Sequence, residues 1–194
     1  MGNEQAIVID REPVVHRITV EEFLTLDEAG AFEKVGRVEL IDGEIYEMAP
    51  LHRPHARALM ELTIALGLAI RAFEPEIEAM TPVSARLDPH SLPEADIVVA
   101  ARDDSGEQFV TADTVRLVVE VSVSSLRHDL GRKLKLYART GVPEYWVVDV
   151  KGGCIHRFSA PQGEAYTEQV DYPFGALIPS ATIAGLAVDT ARLA

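Results

Sequence analysis

The chain has a single cysteine, Cys154, among its 194 residues. An internal disulfide framework is therefore excluded, and so is a zinc site built on several cysteines. Long apolar runs are also missing, because the longest, Leu62–Ile70, is too short to span a bilayer. The opening residues, MGNEQAIVIDREPVV, have neither the basic segment nor the apolar core of a signal peptide. These absences predict a cytoplasmic protein with no membrane segment.

Positive charge is scarce as well. Lys and Arg number 18 against 31 Asp and Glu, and the net charge of −13 argues against broad affinity for nucleic acid. Residues 125–139 are the exception, since five basic residues and one acid, Asp129, give five minus one, or +4. The five are Arg127, Arg132, Lys133, Lys135 and Arg139. Two interpretations are open: a solvated helix face, or a surface that meets a phosphate backbone.

The chain also lacks a P-loop and a GxGxxG motif, so nothing supports a nucleotide cofactor. Its apolar content of 47% is enough to bury a core. The length favours one domain, residues 1–194, with a short flexible N-terminus over about residues 1–12.

Local patterns in the first half predict a helix, a hairpin and a second helix. Thr19–Glu22 has the S/T-x-x-E form of a capping box, which predicts a short helix ending near Gly30. The pair Asp42-Gly43 between alternating apolar arms predicts a β-hairpin. Apolar residues at helical spacing from about His55 to Phe73 predict a long amphipathic helix.

The remaining patterns predict a sheet with one helical crossover. In order, we expect one strand or a strand pair interrupted at Pro82 (76–87), a loop (88–95), a strand (96–100), a strand (114–122), a helix (129–140), a strand (144–150), a hairpin into residues 154–159, an edge strand (164–170) and an irregular tail from about Phe174. A strand–helix–strand step joins parallel strands. Together with the hairpins, it predicts a mixed α/β fold.

Two acids stand out within this pattern. Asp96 opens one predicted core strand and Glu120 ends the next, so the two acids could face each other. A carboxylate inside the sequence VVEVS is costly to bury unless it is paired or coordinated. Two carboxylates on neighbouring strands can share a hard cation such as Mg²⁺. The alternative is that Glu120 pairs with Lys133 or Arg116 and serves structure alone.

Lys133 lies four residues after Asp129 and four before Tyr137, so the three side chains project from one helical face. Such a pair of Asp and Lys is usually solvated and contributes a few tenths of a kcal/mol. A functional role requires that this face turn toward Glu120.

Other reactive side chains carry weaker patterns. His52 and His55 lie near a proline-bounded loop with no third metal ligand close in sequence, which favours a loop or substrate-facing role over a metal site. Cys154 follows a Gly-Gly turn without the partner pattern of a catalytic thiol.

The segment EVSVSSLRHDLGRKLKLYARTGVPEYWVVD, Glu120–Asp149, resembles the signature of the bacterial Uma-type restriction endonuclease family. Three upstream segments resemble the same family and occur in the same order: ITVEEFLTL, VELIDGEIYEMAP and PEADIVV. The resemblance covers essentially the whole chain and implies the PD-(D/E)XK nuclease superfamily, whose core is a mixed four-stranded sheet flanked by helices. It therefore implies a restriction-endonuclease-like sheet here, with the hairpins as additions.

The resemblance also assigns roles to residues. Asp96 would be the motif aspartate and Glu120 its (D/E), both as metal ligands. Ser122 stands where the motif lysine is expected, and Lys133 on the following helix would replace that lysine. Glu39 resembles an additional upstream acid of the family. Two departures, Val123 in place of an aspartate and Ala95 in place of a proline, remove no metal ligand.

The implied function is a DNA endonuclease that uses Mg²⁺ or Mn²⁺, with Asp96, Glu120, Lys133 and Glu39 as its catalytic residues. A homodimer is expected, because many enzymes of the superfamily cut two strands as dimers. Two alternatives remain open. One is a non-catalytic nucleic-acid-binding or assembly protein on a nuclease scaffold. The other is a nuclease for another nucleic acid, or one active only within a complex.

Overall fold

The computed structural model describes residues 13–71, 76–103 and 105–194. The predicted flexible N-terminus and the end of the predicted helix at Phe73 lie outside these residues. The helical elements are α1 Val20–Glu28, α2 Arg53–Arg71, α3 Leu126–His128, a π-helical turn Asp129–Lys133, α4 Leu134–Arg139 and a 3-10 turn Ala191–Leu193. The strands are β1 Val38–Ile41, β2 Glu44–Glu47, β3 Ile77–Met80, β4 Val83–Arg86, β5 Glu94–Ala95, β6 Ile97–Ala101, β7 Val110–Thr111, β8 Val115–Ser122, β9 Glu144–Asp149, β10 Cys154–Gln162, β11 Ala165–Pro173, β12 Leu177–Pro179 and β13 Ala187–Asp189.

A six-stranded sheet in the order β11-β10-β9-β8-β6-β3 forms the centre of the molecule. β8 and β9 run parallel, joined by the α3–α4 segment, and the other neighbours are antiparallel. The predicted mixed α/β sheet flanked by helices is thus confirmed, with its single parallel crossover.

Both faces of this sheet are covered, which is why β8 is buried along most of its length. On one face Val119 packs in a cluster with Leu66 of α2, and on the other Val118 packs in a cluster with Leu136 of α4. Each fully buried apolar side chain of this size contributes roughly 1.5–3 kcal/mol. Because side chains alternate along a strand, Glu120 shares the α4 face with Val118.

The predicted hairpin is formed by β1 and β2, which pair antiparallel as a separate two-stranded sheet. Asp42 and Gly43 both have positive φ, 57° and 71°, as the two-residue hairpin turn requires. A Cβ on Gly43 would lie 2.5 Å from the Cβ of Arg17, so this turn needs glycine. Leu40 exchanges backbone hydrogen bonds with Leu92 at 2.8 and 3.3 Å, which holds the hairpin against the segment before β6.

Residues 76–87 form two strands interrupted at Pro82, one of the two predicted alternatives, and the strands belong to different sheets, since β3 pairs with β6 while β4 pairs with β5 and β7. Two other predicted elements need correction. The predicted loop over 88–95 ends in the short strand β5. Asp96 lies in the bend before β6, and Glu120 lies two residues before the end of β8.

The prediction of an irregular tail was wrong, because β12 and β13 form an antiparallel pair. Pro179 is tolerated as the last residue of β12 in this two-stranded sheet. Buried Glu144 holds the turn that follows, accepting hydrogen bonds from the backbone N–H groups of Ala181 and Thr182 and from the Ser180 hydroxyl. No helix in the described parts of the chain is long and apolar enough to cross a membrane.

Candidate functional site

A cavity of about 240 Å³ opens between the β1–β2 hairpin, the start of α2 and the end of β8. The residues that line it include all four predicted site residues, Glu39, Asp96, Glu120 and Lys133. Residues between 13 and 94 positions apart in sequence therefore meet at one place.

Asp96 is held from two sides. Its Oδ2 accepts a hydrogen bond of 2.7 Å from the backbone N–H of Val121, which lies on the neighbouring strand β8. The same oxygen lies 3.1 Å from Nε2 of His55, in the first turn of α2. Oδ1 accepts no hydrogen bond from any described residue, so one oxygen of this carboxylate is available to a ligand.

Glu120 is 3% exposed and meets two donors with one oxygen. Its Oε1 accepts hydrogen bonds from Nζ of Lys133 at 3.0 Å and from the hydroxyl of Tyr137 at 2.7 Å. Oε2 has no donor among the residues described. Burial raises the pKa of Glu120 well above its ordinary value. The attraction of Lys133 opposes this shift, while nearby carboxylates, Asp96 foremost, add to it.

Lys133 is the last residue of the π-helical turn and is 1% exposed. Its Nζ lies 3.0 Å from both Glu120 Oε1 and Glu39 Oε2, and it donates a 3.0 Å hydrogen bond to the carbonyl oxygen of Glu94. Burial lowers the pKa of Lys133, but the two carboxylates outweigh burial and raise it above the ordinary lysine value. The interpretation of Lys133 and Asp129 as a solvated surface pair is therefore wrong, because Lys133 is a buried ammonium.

Glu39 lies on β1 and is 1% exposed. Its Oε2 also accepts a 3.2 Å hydrogen bond from the backbone N–H of Glu94, and its Oε1 lies 3.3 Å from Nε2 of His128. Burial raises the pKa of Glu39, yet Lys133 and His128 together bring it below the ordinary value. Two carboxylates that share one ammonium thus differ, since the pKa of Glu39 is lowered and the pKa of Glu120 is raised.

Comparisons with known proteins identify the family of the chain and a structure that shares its fold. The sequence profile of the Uma2 family, described as "Putative restriction endonuclease", matches residues 20–191. The chain belongs to the Uma2 family. A crystal structure described as a putative nuclease belonging to DUF820 from Anabaena variabilis ATCC 29413 shares the fold, with a TM-score of 0.67 and 19% identity. The match covers 91% of this chain and 97% of that chain. A comparison with curated proteins gave no match.

In this Uma2 chain, three residues of the site were not predicted from sequence to contact its acids. They are Tyr137, which donates to Glu120, His55, which contacts Asp96, and His128, which contacts Glu39. The i, i+4 spacing of Lys133 and Tyr137 was a usable signal, since both reach the same oxygen of Glu120. The two histidines carry no such signal, because their partners lie 41 and 89 residues away in sequence.

His55 has a further property. The residue is 8% exposed, and its Nδ1 is buried without a hydrogen-bond partner in the described chain. It lies in the first turn of α2, at the start of the helix predicted from about His55. His52 lines the same cavity and is exposed, and its substrate-facing role stays a prediction.

The basic segment 125–139 does not present a row of free cations. Lys133 is buried, and the other cations of α4 and the π turn meet acids on other elements. The pairs are Arg132 with Glu44 at 3.3 Å, Lys135 with Glu164 at 3.7 Å and Arg139 with Asp88 at 3.1 Å. The local +4 is therefore largely neutralised, and the interpretation of this segment as a phosphate-binding face loses most of its support.

The donor set of the cavity fits a hard divalent cation. Glu39, Asp96, Glu120 and Asp129 line the cavity together with one lysine, Lys133, and an excess of buried negative charge is costly without a counter-ion. Oδ1 of Asp96 and Oε2 of Glu120 are both free of donors within the described residues. Mg²⁺ is usually bound by one or two carboxylates, with waters and substrate phosphates as its remaining ligands. The two free oxygens match that pattern.

Proposed function

We propose that this chain is an endonuclease that hydrolyses phosphodiester bonds in DNA and depends on Mg²⁺ or Mn²⁺. Asp96 and Glu120 would be the metal ligands. The observation that carries the proposal is the convergence of these two carboxylates and a buried, charged Lys133 in one cavity. Membership of a family described as restriction endonucleases supports a nucleic-acid substrate.

A divalent cation at this position would lower the pKa of a bound water and neutralise charge on the scissile phosphate. The chain itself prepares the ligands for it. The Val121 N–H and His55 fix Asp96, while Lys133 and Tyr137 occupy one oxygen of Glu120. Both carboxylates are thus oriented before a cation arrives, which reduces the cost of organising the site.

Lys133 has two roles in this proposal. Its ammonium offsets part of the charge of Glu120 and Glu39, which lets two acids remain so close. It also places a fixed positive charge beside the site where negative charge builds up on the phosphoryl oxygens in the transition state. Glu39 would position a water molecule or a second cation. In the overall reaction, water adds to phosphorus and one P–O ester bond breaks, which leaves an alcohol and a phosphate monoester.

A second candidate is a non-catalytic nucleic-acid-binding or assembly protein on the same scaffold. Two observations favour it: the net charge of −13, and the pairing of most cations in segment 125–139 with acids. Under this alternative, Lys133 and Glu120 would only stabilise the fold.

A cleavage assay separates the two candidates. The purified chain is incubated with supercoiled plasmid in Mg²⁺ or Mn²⁺ and in EDTA, and the products are resolved on agarose. We expect cation-dependent nicking or linearisation in the wild type. Glu120→Gln and Lys133→Met should lose cleavage, whereas the exposed pair partners provide matched controls, Glu164→Gln and Lys135→Met, which should retain it. Cleavage that persists in both Glu120→Gln and Lys133→Met would refute the assignment.

Two parts of the proposal have their own tests. Single-stranded DNA and RNA in the same assay show whether another nucleic acid is preferred, and adding candidate partners tests activity within a complex. The homodimer is tested by sedimentation equilibrium with and without duplex DNA. A monomer in both conditions would remove the dimer from the proposal without affecting the metal site.

A further inference from the structure

A second group of potential metal ligands lies on the same sheet, outside the cavity. Cys154 pairs with Asp149 across β9 and β10, and His156 pairs with Asp171 across β10 and β11. Cys154 and His156 are two residues apart on β10 and so point to the same face of the sheet. The register of three strands therefore places a carboxylate, a thiol and an imidazole side by side.

The ligand atoms of Asp149, Cys154 and His156 lie within 4.8 Å of one another. Sγ of Cys154 is 3.5 Å from Nε2 of His156. Nδ1 of His156 lies 2.8 Å from Oδ1 of Asp171, which turns Nε2 toward the thiol. A carboxylate bound to the far nitrogen of a histidine is the usual way in which proteins orient a metal-binding imidazole.

The carboxylate of Asp149 is also held in place by hydrogen bonds. Its Oδ1 accepts hydrogen bonds from the backbone N–H groups of Lys151 and Gly152 at 3.1 and 2.8 Å, and Oδ2 has no donor in the described residues. A Cβ on Gly152 would lie 2.2 Å from Oδ2, so the turn leaves room for this carboxylate only because it has glycine here.

We infer that Asp149, Cys154 and His156 form a zinc site that is separate from the acidic cavity. Sulfur, nitrogen and oxygen ligands together select Zn²⁺ over Mg²⁺, which takes oxygen alone. Three protein ligands leave the fourth tetrahedral position to water or to an incoming ligand. His156 lies in the same row of paired residues as Glu120, with Val147 between them, so the backbones of His156 and Glu120 are about 10 Å apart, two strand spacings.

A cysteine nucleophile is the main competing interpretation, because Cys154, His156 and Asp171 are arranged like a Cys–His–Asp triad. The acid at Asp149 has no place in such a triad, whereas it completes a metal site.

The test uses Co²⁺ as a spectroscopic substitute for Zn²⁺ on the full-length chain. Titration should produce a thiolate-to-cobalt charge-transfer band in the near ultraviolet at one equivalent, and added Zn²⁺ should abolish it. Cys154→Ser should remove the band, and Asp171→Asn should weaken binding about 10–100-fold. His16→Gln, a change at an exposed histidine, serves as the control and should leave the titration unchanged.

A second measurement needs no variant, because Cys154 is the only cysteine in the chain. One equivalent of Zn²⁺ should slow its alkylation by iodoacetamide, and EDTA should restore the rate. The same protection is expected in Glu120→Gln, so this result is independent of the proposed nuclease site. A wild type that gives no charge-transfer band, and whose alkylation rate Zn²⁺ does not alter, would overturn the inference. A band that survives in Cys154→Ser would do the same.

Discussion

Glu120→Gln is the substitution that best separates a metal site from a structural ion pair. The variant keeps an oxygen for the Tyr137 hydroxyl, which donates at 2.7 Å in the wild type. Lys133 keeps Glu39 and the Glu94 carbonyl, each at 3.0 Å, so no ammonium is left without a partner. What disappears is one negative charge from a buried, acid-rich cavity.

The sign of the stability change follows from the pKa of Glu120, which is raised above the ordinary value of 4.5. A carboxyl group whose pKa is raised on folding lowers the free energy of unfolding at higher pH. This destabilisation is absent below pH 4.5 and grows as the pH rises toward the folded-state pKa. In EDTA at pH 7 we therefore expect Glu120→Gln to melt at the same temperature as the wild type or higher. The difference should vanish toward pH 4.5.

Metal should reverse this order. A cation present at 100 times its Kd stabilises the folded wild type by about 2.7 kcal/mol. For a chain of this length, that corresponds to a rise in Tm of roughly 5–11 °C. Glu120→Gln should gain none of it, even though it keeps the Asp149, Cys154 and His156 group. Mn²⁺ should thus make the wild type the more stable of the two.

Thermal unfolding followed by circular dichroism gives the Tm of the wild type and of Glu120→Gln, each in EDTA and in Mn²⁺. Glu164→Gln serves as the surface control. A purely structural pair predicts a different result, because breaking a buried ion pair costs about 3–5 kcal/mol. The variant would then melt roughly 6–20 °C below the wild type in EDTA. That loss, together with a wild-type Tm that Mn²⁺ does not change, would refute the reasoning.

Three further predictions concern other residues of the structure. Lys133→Met should reduce plasmid cleavage about 10²–10³-fold relative to Lys135→Met. Its stability deficit in urea titrations should be largest at neutral pH and narrow below pH 4.5, because the lowered pKa of Glu39 stabilises the wild type only where Glu39 is ionised. His55→Ala should weaken Mn²⁺ binding in calorimetry by about 10–100-fold, because it removes one of the two contacts that orient the Asp96 carboxylate. Glu144→Ala should lower Tm by roughly 4–8 °C, because it leaves the buried Trp146 indole N–H without an acceptor and releases the turn that Ala181 and Thr182 form, and an unchanged Tm would contradict this.

Much of the sheet could be predicted from sequence because local signals there agree with tertiary packing. The continuous β-branched run over β8 and the Asp42-Gly43 turn each determine their own structure through short-range geometry. β12 and β13 could not be predicted, because their pairing depends on a turn that Glu144 holds from 36 to 38 residues away. Pro179 also suggested an irregular segment, but a strand end tolerates it.

The site shows the same division between local and distant effects. The spacing of Lys133 and Tyr137 placed both on one helical face, and they do meet at one oxygen of Glu120. The burial of Lys133 could not be predicted from sequence, because a lysine in a segment rich in basic residues is typical of a solvent-exposed helix face. The π-helical turn that ends at Lys133 has no local signature in the sequence, although such turns are frequent at functional sites.

The central claim is that Asp96 and Glu120 bind one divalent cation beside a buried lysine. A crystal structure of the wild type soaked in Mn²⁺, with data collected to reveal anomalous scattering, tests it most directly. We expect an anomalous peak in the cavity at about 2.0–2.5 Å from a carboxylate oxygen of each residue. At saturating Mn²⁺, a cavity with no peak, or a peak that contacts neither carboxylate, would contradict the account.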